Sequence, residues 1–128
     1  MLNQVFAIRG ATTVDADTAE EIILRSVELM REIVTRNGID KDDNLEITDY
    51  LISTTEDITA FYPARAIRES GVVDAPIFSM KEPSVKGALP LCIRLMVHVV
   101  NYGKRKAPVH VYLRGACNLR RDLTENKK

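Results

Sequence analysis

Eighteen basic and eighteen acidic side chains cancel across 128 residues, which leaves no electrostatic footprint for nucleic acid and no polybasic patch for an anionic membrane. The length suffices for one core without staples, and Cys92, Cys117, His98 and His110 are too scattered in sequence to suggest a disulfide framework or a metal site. With no run near the roughly 20 apolar residues of a membrane span and no signal-peptide pattern at the N-terminus, a soluble, cytoplasmic protein with a small ligand is expected.

Residues 5–14 read as an opening strand, interrupted by Arg9 and Gly10. Thr18 and Glu21 then form a capping-box pattern, and Ile23, Val27, Met30 and Val34 follow at spacings of four, three and four, which predicts one long amphipathic helix. Asn37-Gly38 ends it, since both residues tolerate the left-handed conformation that commonly follows a helix, and a polar loop runs to Asn44. Leu45, Ile47, Tyr50-Leu51-Ile52 and Thr54-Thr55 favour a second strand. Pro63 suits the first turn of a short helix reaching about Glu69, with Ser70-Gly71 as its exit. Residues 75–80, 91–100 and 109–113 read as three more strands, the last two joined by a turn-rich loop over 101–108.

Nothing in composition marks a boundary, so residues 1–128 are expected to form a single mixed α/β (α+β) domain, with residues from about 121 a flexible C-terminal tail. The predicted sheet has five or six strands, covered by one long and one short helix. Two helices can cover only one face of it. The other face must be solvated, closed on itself or packed on another subunit, so homo-oligomerisation is expected.

Arg94 interrupts the almost wholly apolar run Leu91 to Val100. A guanidinium keeps its charge in a protein, and removing an unpaired ion from water costs at least several kcal/mol. Something anionic should meet it, either a protein carboxylate such as Glu82 or a ligand. Strand alternation places Cys92, Arg94, Met96 and His98 on one face and Ile93, Leu95, Val97 and Val99 on the other, with Tyr112 and His110 able to share a second face of the same kind. Arg9 is another cation between apolar neighbours, readable as an edge residue reaching water or as part of the same site, and Gly10 beside it would let a ligand or a backbone approach closely. Tyr112 could equally be ordinary packing, Arg65 and Arg68 solvated charges, Ser79 a plain strand serine, and both histidines structural. No nucleophile-and-base arrangement or phosphate-binding glycine loop occurs. What remains, two strand arginines with a carboxylate and a tyrosine, suits gripping a small dicarboxylate and stabilising negative charge by fixed electrostatics.

Taken together, Ile8-Arg9-Gly10-Ala11-Thr12-Thr13-Val14, Phe61-Tyr62-Pro63-Ala64-Arg65-Ala66-Ile67-Arg68-Glu69, Glu82, Cys92-Ile93-Arg94 and His110-Val111-Tyr112-Leu113 resemble, in order, the monofunctional AroH class of chorismate mutase. The resemblance runs from about residue 6 to about residue 124. It implies a homotrimeric pseudo-α/β barrel with pockets between neighbouring subunits, and rearrangement of chorismate to prephenate without metal or organic cofactor. It further implies Arg94 beside the ether oxygen, Arg9 and Tyr112 on the side-chain carboxylate, and Glu82 on the ring hydroxyl. Tyr62, Arg68, Phe78, Ser79, Met80 and Lys81 would line the pocket or its mouth, and Leu119 and Arg120 would close over it. The chain departs from the common pattern at Ser79, where cysteine occurs, Tyr62 for phenylalanine, Arg65 for lysine and Arg121 for proline. Two other readings share these residues: a non-catalytic trimeric metabolite-binding module, and a small trimeric imine or enamine deaminase.

Overall fold

Thr18 opens the long helix as its spacing predicts: the threonine Oγ1 accepts from the Glu21 amide at 3.2 Å, while the Glu21 carboxylate accepts from the Asp15 amide, where a reciprocal capping box would have it accept from Thr18. The computed structural model describes residues 3–124. Along them run β1 (Gln4–Thr13), α1 (Ala19–Arg36), β2 (Leu45–Thr54), α2 (Pro63–Ser70), β3 (Ile77–Lys81), β4 (Cys92–Asn101), β5 (Val111–Tyr112), a 3₁₀ turn (Arg114–Ala116) and α3 (Arg121–Thr124). Gly71 ends α2 in the left-handed conformation, at φ 75°, as the exit residue of a helix should.

The strands form a single five-stranded mixed sheet in the order β3-β2-β4-β1-β5. Ile93, Leu95, Val97 and Val99 of β4 are buried in one core with Ile22, Leu29, Met30 and Ile33 of α1 and Ile67 of α2. Both helices therefore lie on that face, and the alternate residues of β4 point to the other. The helix comes very close at Gly10, where a Cβ would lie 2.7 Å from Ile33 Cδ1 and 3.3 Å from Leu29 Cδ1. The glycine thus makes room for α1, and the β5 backbone also comes close, as expected, with the Val111 carbonyl 3.3 Å from the Cβ position.

Register then assembles one row across the whole sheet. Met80 is opposite Ser53, Ser53 opposite Arg94, Arg94 opposite Ala11 and Ala11 opposite Tyr112. Directly opposed residues share a face, so one side chain from each of the five strands meets on the side that α1 and α2 leave open. β2 reaches this row through an irregularity that its sequence does not announce. Its register slips between Ile47 and Asp49, so that Leu45 and Ile47 face the core before the slip and Tyr50 and Ile52 after it. An extra residue in a strand reverses the alternation. Asp49, Leu51 and Ser53 are thereby sent to the open face.

Several expected boundaries move. The third strand starts at Ile77, not residue 75, because Pro76 offers no amide and its carbonyl instead accepts from Tyr50 at 3.0 Å. The fourth starts at Cys92, since Leu91 takes a positive φ of 50°. The fifth shrinks to Val111–Tyr112. The C-terminal region adds a 3₁₀ turn and α3 to the two expected helices; α3 occupies 121–124 of the expected tail, whose remainder lies outside the described residues.

The shortening of β5 has a specific cause in Asn37. Buried at the end of α1, its side chain donates to the carbonyls of Ile33 and Val109, at 2.8 and 2.9 Å, and accepts from the Val109 amide at 2.7 Å. A side chain here replaces a strand partner. Asn37→Ala would leave both Val109 groups without these partners, and denaturant unfolding should show a loss of about 2–3 kcal/mol; a loss below about 0.5 kcal/mol would mean that water replaces the amide at no cost.

Candidate active site

Glu82 follows β3 directly, and its backbone amide donates to Thr54 at 2.8 Å, continuing the β2–β3 ladder by one residue. Its carboxylate reaches β4, where Glu82 Oε1 lies 3.6 Å from Arg94 Nε. That distance makes an ion pair but no hydrogen bond. The other oxygen, Oε2, accepts from the Ser53 hydroxyl. Arg94 Nε itself is buried and has no hydrogen-bond partner among the described residues.

The side chain as a whole is not buried, and this corrects the expectation raised by the apolar run. Arg94 is 42% exposed and Glu82 23%, because β4 is covered by helices on one face only. The guanidinium tip reaches solvent while Nε lies beneath it. Within one chain the cation therefore escapes most of the penalty of burial, and Glu82 answers part of its charge.

These groups line a cleft of about 240 Å³ together with Arg9, Met80 and Tyr112. Arg9 enters one row away, opposite Met96. His110, just before β5, accepts the Arg9 amide on Nδ1 at 2.9 Å and so extends the β1–β5 pairing with a side chain. His98 shares the open face with Arg94 and bonds Asp49, the residue turned outward by the β2 irregularity, at 2.5 Å. Behind Tyr112, Leu119 packs with it against buried Ala11, Cys92 and Ala116. Arg120 pairs with Asp122 at 2.7 Å, and its charge also acts on Tyr112. Leu119 and Arg120 thus stand beside Tyr112, while Tyr112 itself borders the cleft.

The start of β4 is held by acid and hydroxyl. Asp57 Oδ2 accepts the Leu91 amide at 3.0 Å, and Thr55 Oγ1 accepts the Cys92 amide at 2.9 Å. These bonds hold Leu91 in its left-handed conformation, a strained state for a residue with a side chain, and they fix the register two residues before Arg94.

Not every residue that the resemblance implies comes to this cleft. Tyr62, Ser79 and Lys81 line a different one, of about 640 Å³, with Phe61 and Arg65. Arg68 joins Tyr62 and Ser79 around a neighbouring depression of about 500 Å³. Phe78 stands 65% exposed on β3, an edge strand. The split follows from alternation: Ser79 and Lys81 point to the side opposite Phe78 and Met80, and Met80 borders both clefts. Arg65 lies over the Phe61 ring, 5.5 Å from its centre, and pairs with Glu69 at 3.0 Å. Ser53 escaped the sequence reading. Only the register slip in β2 brings it to Glu82, and a serine after Leu51-Ile52 carries no signal of that. Among the described residues no three His, Cys, Asp or Glu side chains form a metal-ligating group.

With this geometry in view, the chain matches the family model for chorismate mutase type I over residues 5–123. It is 40% identical over 121 residues to the chorismate mutase AroH of Bacillus subtilis (strain 168), covering 94% of this chain and 93% of that one. It is 38% identical over 119 residues to the AroH chorismate mutase of Thermus thermophilus, covering 93% and 96% respectively. Among solved structures it is similar to a chorismate mutase from Clostridium thermocellum, at a TM-score of 0.75 and 38% identity, over 87% of this chain and 96% of that chain.

Burial pushes the Tyr112 phenol above its ordinary pKa, and the nearby charges of Arg9, Arg120 and Arg94 act against that rise. Arg9→Ala should therefore move the phenol further up. A tyrosinate absorbance titration, with Tyr112→Phe to identify the signal, reads it, and an unchanged or lower value would place the Arg9 charge away from the ring.

Proposed function

The chain belongs to the chorismate mutase type I family and is an isomerase that converts chorismate to prephenate, a step of aromatic amino acid biosynthesis; we propose that it does so on the Arg9, Glu82, Arg94 and Tyr112 cluster, completed by a neighbouring copy of the chain in a homotrimer. In this Claisen rearrangement the ether carbon–oxygen bond breaks as a carbon–carbon bond forms. Negative charge grows on the ether oxygen. A cation already in place stabilises that oxygen more in the transition state than in the substrate, which is the condition for accelerating the step.

The observation that carries the assignment is the state of Arg94. Its Nε is buried, has no hydrogen-bond partner among the described residues, and stands beside a carboxylate whose other oxygen is already engaged by Ser53. A structural ion pair would be expected to close to hydrogen-bonding distance; this one stays at 3.6 Å. Arg94 takes the developing ether oxygen. Glu82 accepts from the ring hydroxyl and orients the substrate against it. Arg9 takes the side-chain carboxylate, with the Tyr112 hydroxyl as a second donor to the same group. Held in this way, the substrate is fixed in the conformer whose reacting carbons face each other, which lowers the entropic part of the barrier. No residue forms a covalent bond to the substrate.

The second cleft supports the oligomeric part of the reading. Tyr62, Ser79, Lys81 and Arg68 open on the side of β3 away from the cluster, an arrangement that suits a site shared with a neighbour. The uncovered sheet face also exposes large apolar groups, with Val5 at 69%, Phe78 at 65% and Met96 at 37%, a face that a subunit contact would bury. A cytoplasmic location completes the proposal: the free thiols Cys92 and Cys117 suit a reducing compartment, and no helix among the described residues is long and apolar enough to cross a membrane.

Two experiments test this. Arg94→Gln should lower kcat/KM for chorismate by about 10³-fold, and Arg94→Lys by less, since it keeps charge but loses the planar fork; near-normal turnover by Arg94→Gln would overturn the electrostatic role. Arg94→Gln and Arg68→Ala damage different clefts, so co-refolding the two inactive variants should restore about a quarter of the wild-type activity by forming mixed trimers with some intact sites. Activity that stays at the floor, with a three-chain mass in sedimentation, would mean that each site is built from one chain.

A further inference from the structure

Glu82 has two possible relations to Arg94, and only one leaves the cation available. A carboxylate free to rotate beside a guanidinium closes into a two-pronged pair, which occupies its donors and neutralises it. Here that closure is absent, and the group standing against it is Ser53. Its hydroxyl donates to Glu82 Oε2, which leaves Oε1 facing Arg94 Nε at 3.6 Å.

The backbone aims Ser53 there by two features. Ser53 sits between Met80 and Arg94 in the central row, opposite both. It reaches the open face because of the register slip between Ile47 and Asp49; with unbroken alternation from Leu45, Ser53 would face the core under α1. A strand irregularity that re-aims one side chain toward a cleft is a common device beside functional sites. The side chain so aimed lines the cleft itself.

We propose that Ser53 is a positioning residue for the rearrangement, holding the Glu82 carboxylate in the orientation that receives the substrate hydroxyl and keeps it from closing on Arg94. The proposal rests on the role given to Glu82 above. Ser53 acts through Glu82 and makes no contact with the reacting atoms.

The test is a cycle of variants of the full chain assayed with chorismate, each checked by circular dichroism and sedimentation. Ser53→Ala should lower kcat/KM by about 10- to 100-fold, the range of one hydrogen bond to a charged group, with thermal unfolding little changed. Ser53→Thr, which keeps the hydroxyl, should recover activity to within a few-fold. In a Glu82→Ala background, Ser53→Ala should have less than about a twofold further effect, because the group it positions is gone. Should Ser53→Ala fail to fold, Ser53→Cys, close in size with a weak donor, takes its place and should show the loss. Full activity in Ser53→Ala, or an undiminished effect without Glu82, overturns the proposal while leaving the role of Glu82 intact. Full activity in Glu82→Ala overturns both.

Discussion

Arg94 and Glu82 are kept 3.6 Å apart on the face of a sheet that no helix covers, and the rest of the molecule bears on keeping that gap. A closer pair would be more stable in the resting protein and less useful, because a guanidinium already satisfied has little to offer an oxygen that turns negative only during reaction. The separation is maintained from both sides. Ser53 engages the far oxygen of the carboxylate, and the bonds of Asp57 and Thr55 to the first residues of β4 fix where the arginine projects.

The one-sided sheet explains how a permanent cation is tolerated in so apolar a strand. α1 and α2 bury the Ile93, Leu95, Val97 and Val99 face, and that burial supplies the stability of the domain. The opposite face can then carry charged and polar groups without weakening the core. Both α1 and the cluster nevertheless press on β1 at adjacent residues: Gly10 yields its side chain to Ile33 and Leu29, while Arg9 lines the cleft and Ala11 is buried on the same face with Cys92 and Ala116. A side chain at Gly10 would push α1 away and disturb the strand that presents Arg9.

In the proposed trimer the two clefts would belong to one site. β3, at the sheet edge, displays Met80 and Glu82 toward the cluster and Ser79 and Lys81 toward α2. Alternation sends the two sets to opposite sides of the strand. A neighbour packed on the open face would receive one set and contribute the other, and would withdraw Arg94 from water, so that the desolvation missing from the single chain would arise on assembly. The arginine's charge then acts in a medium of lower effective dielectric, where it counts for more.

The sequence by itself determined the family and the order of the main elements, though not the 3₁₀ turn and α3 that follow β5. Thr18, Asn37, Pro63 and Gly71 bound their helices because capping and φ preferences depend on near neighbours, and the split of β4 into an apolar face and the Cys92, Arg94, Met96, His98 face follows from period two alone. The motif order around Arg9, Glu82, Arg94 and Tyr112 named the chemistry, although neither charge nor spacing could have done so unaided. Only the tertiary structure decided the rest. The length of β5 depends on Asn37, 72 residues from Val109; the exposure of Arg94 depends on which face the helices cover; and the place of Ser53 depends on a one-residue slip against β4. Each is a pairing between distant segments, and one extra residue in a strand sends every later side chain to the opposite face.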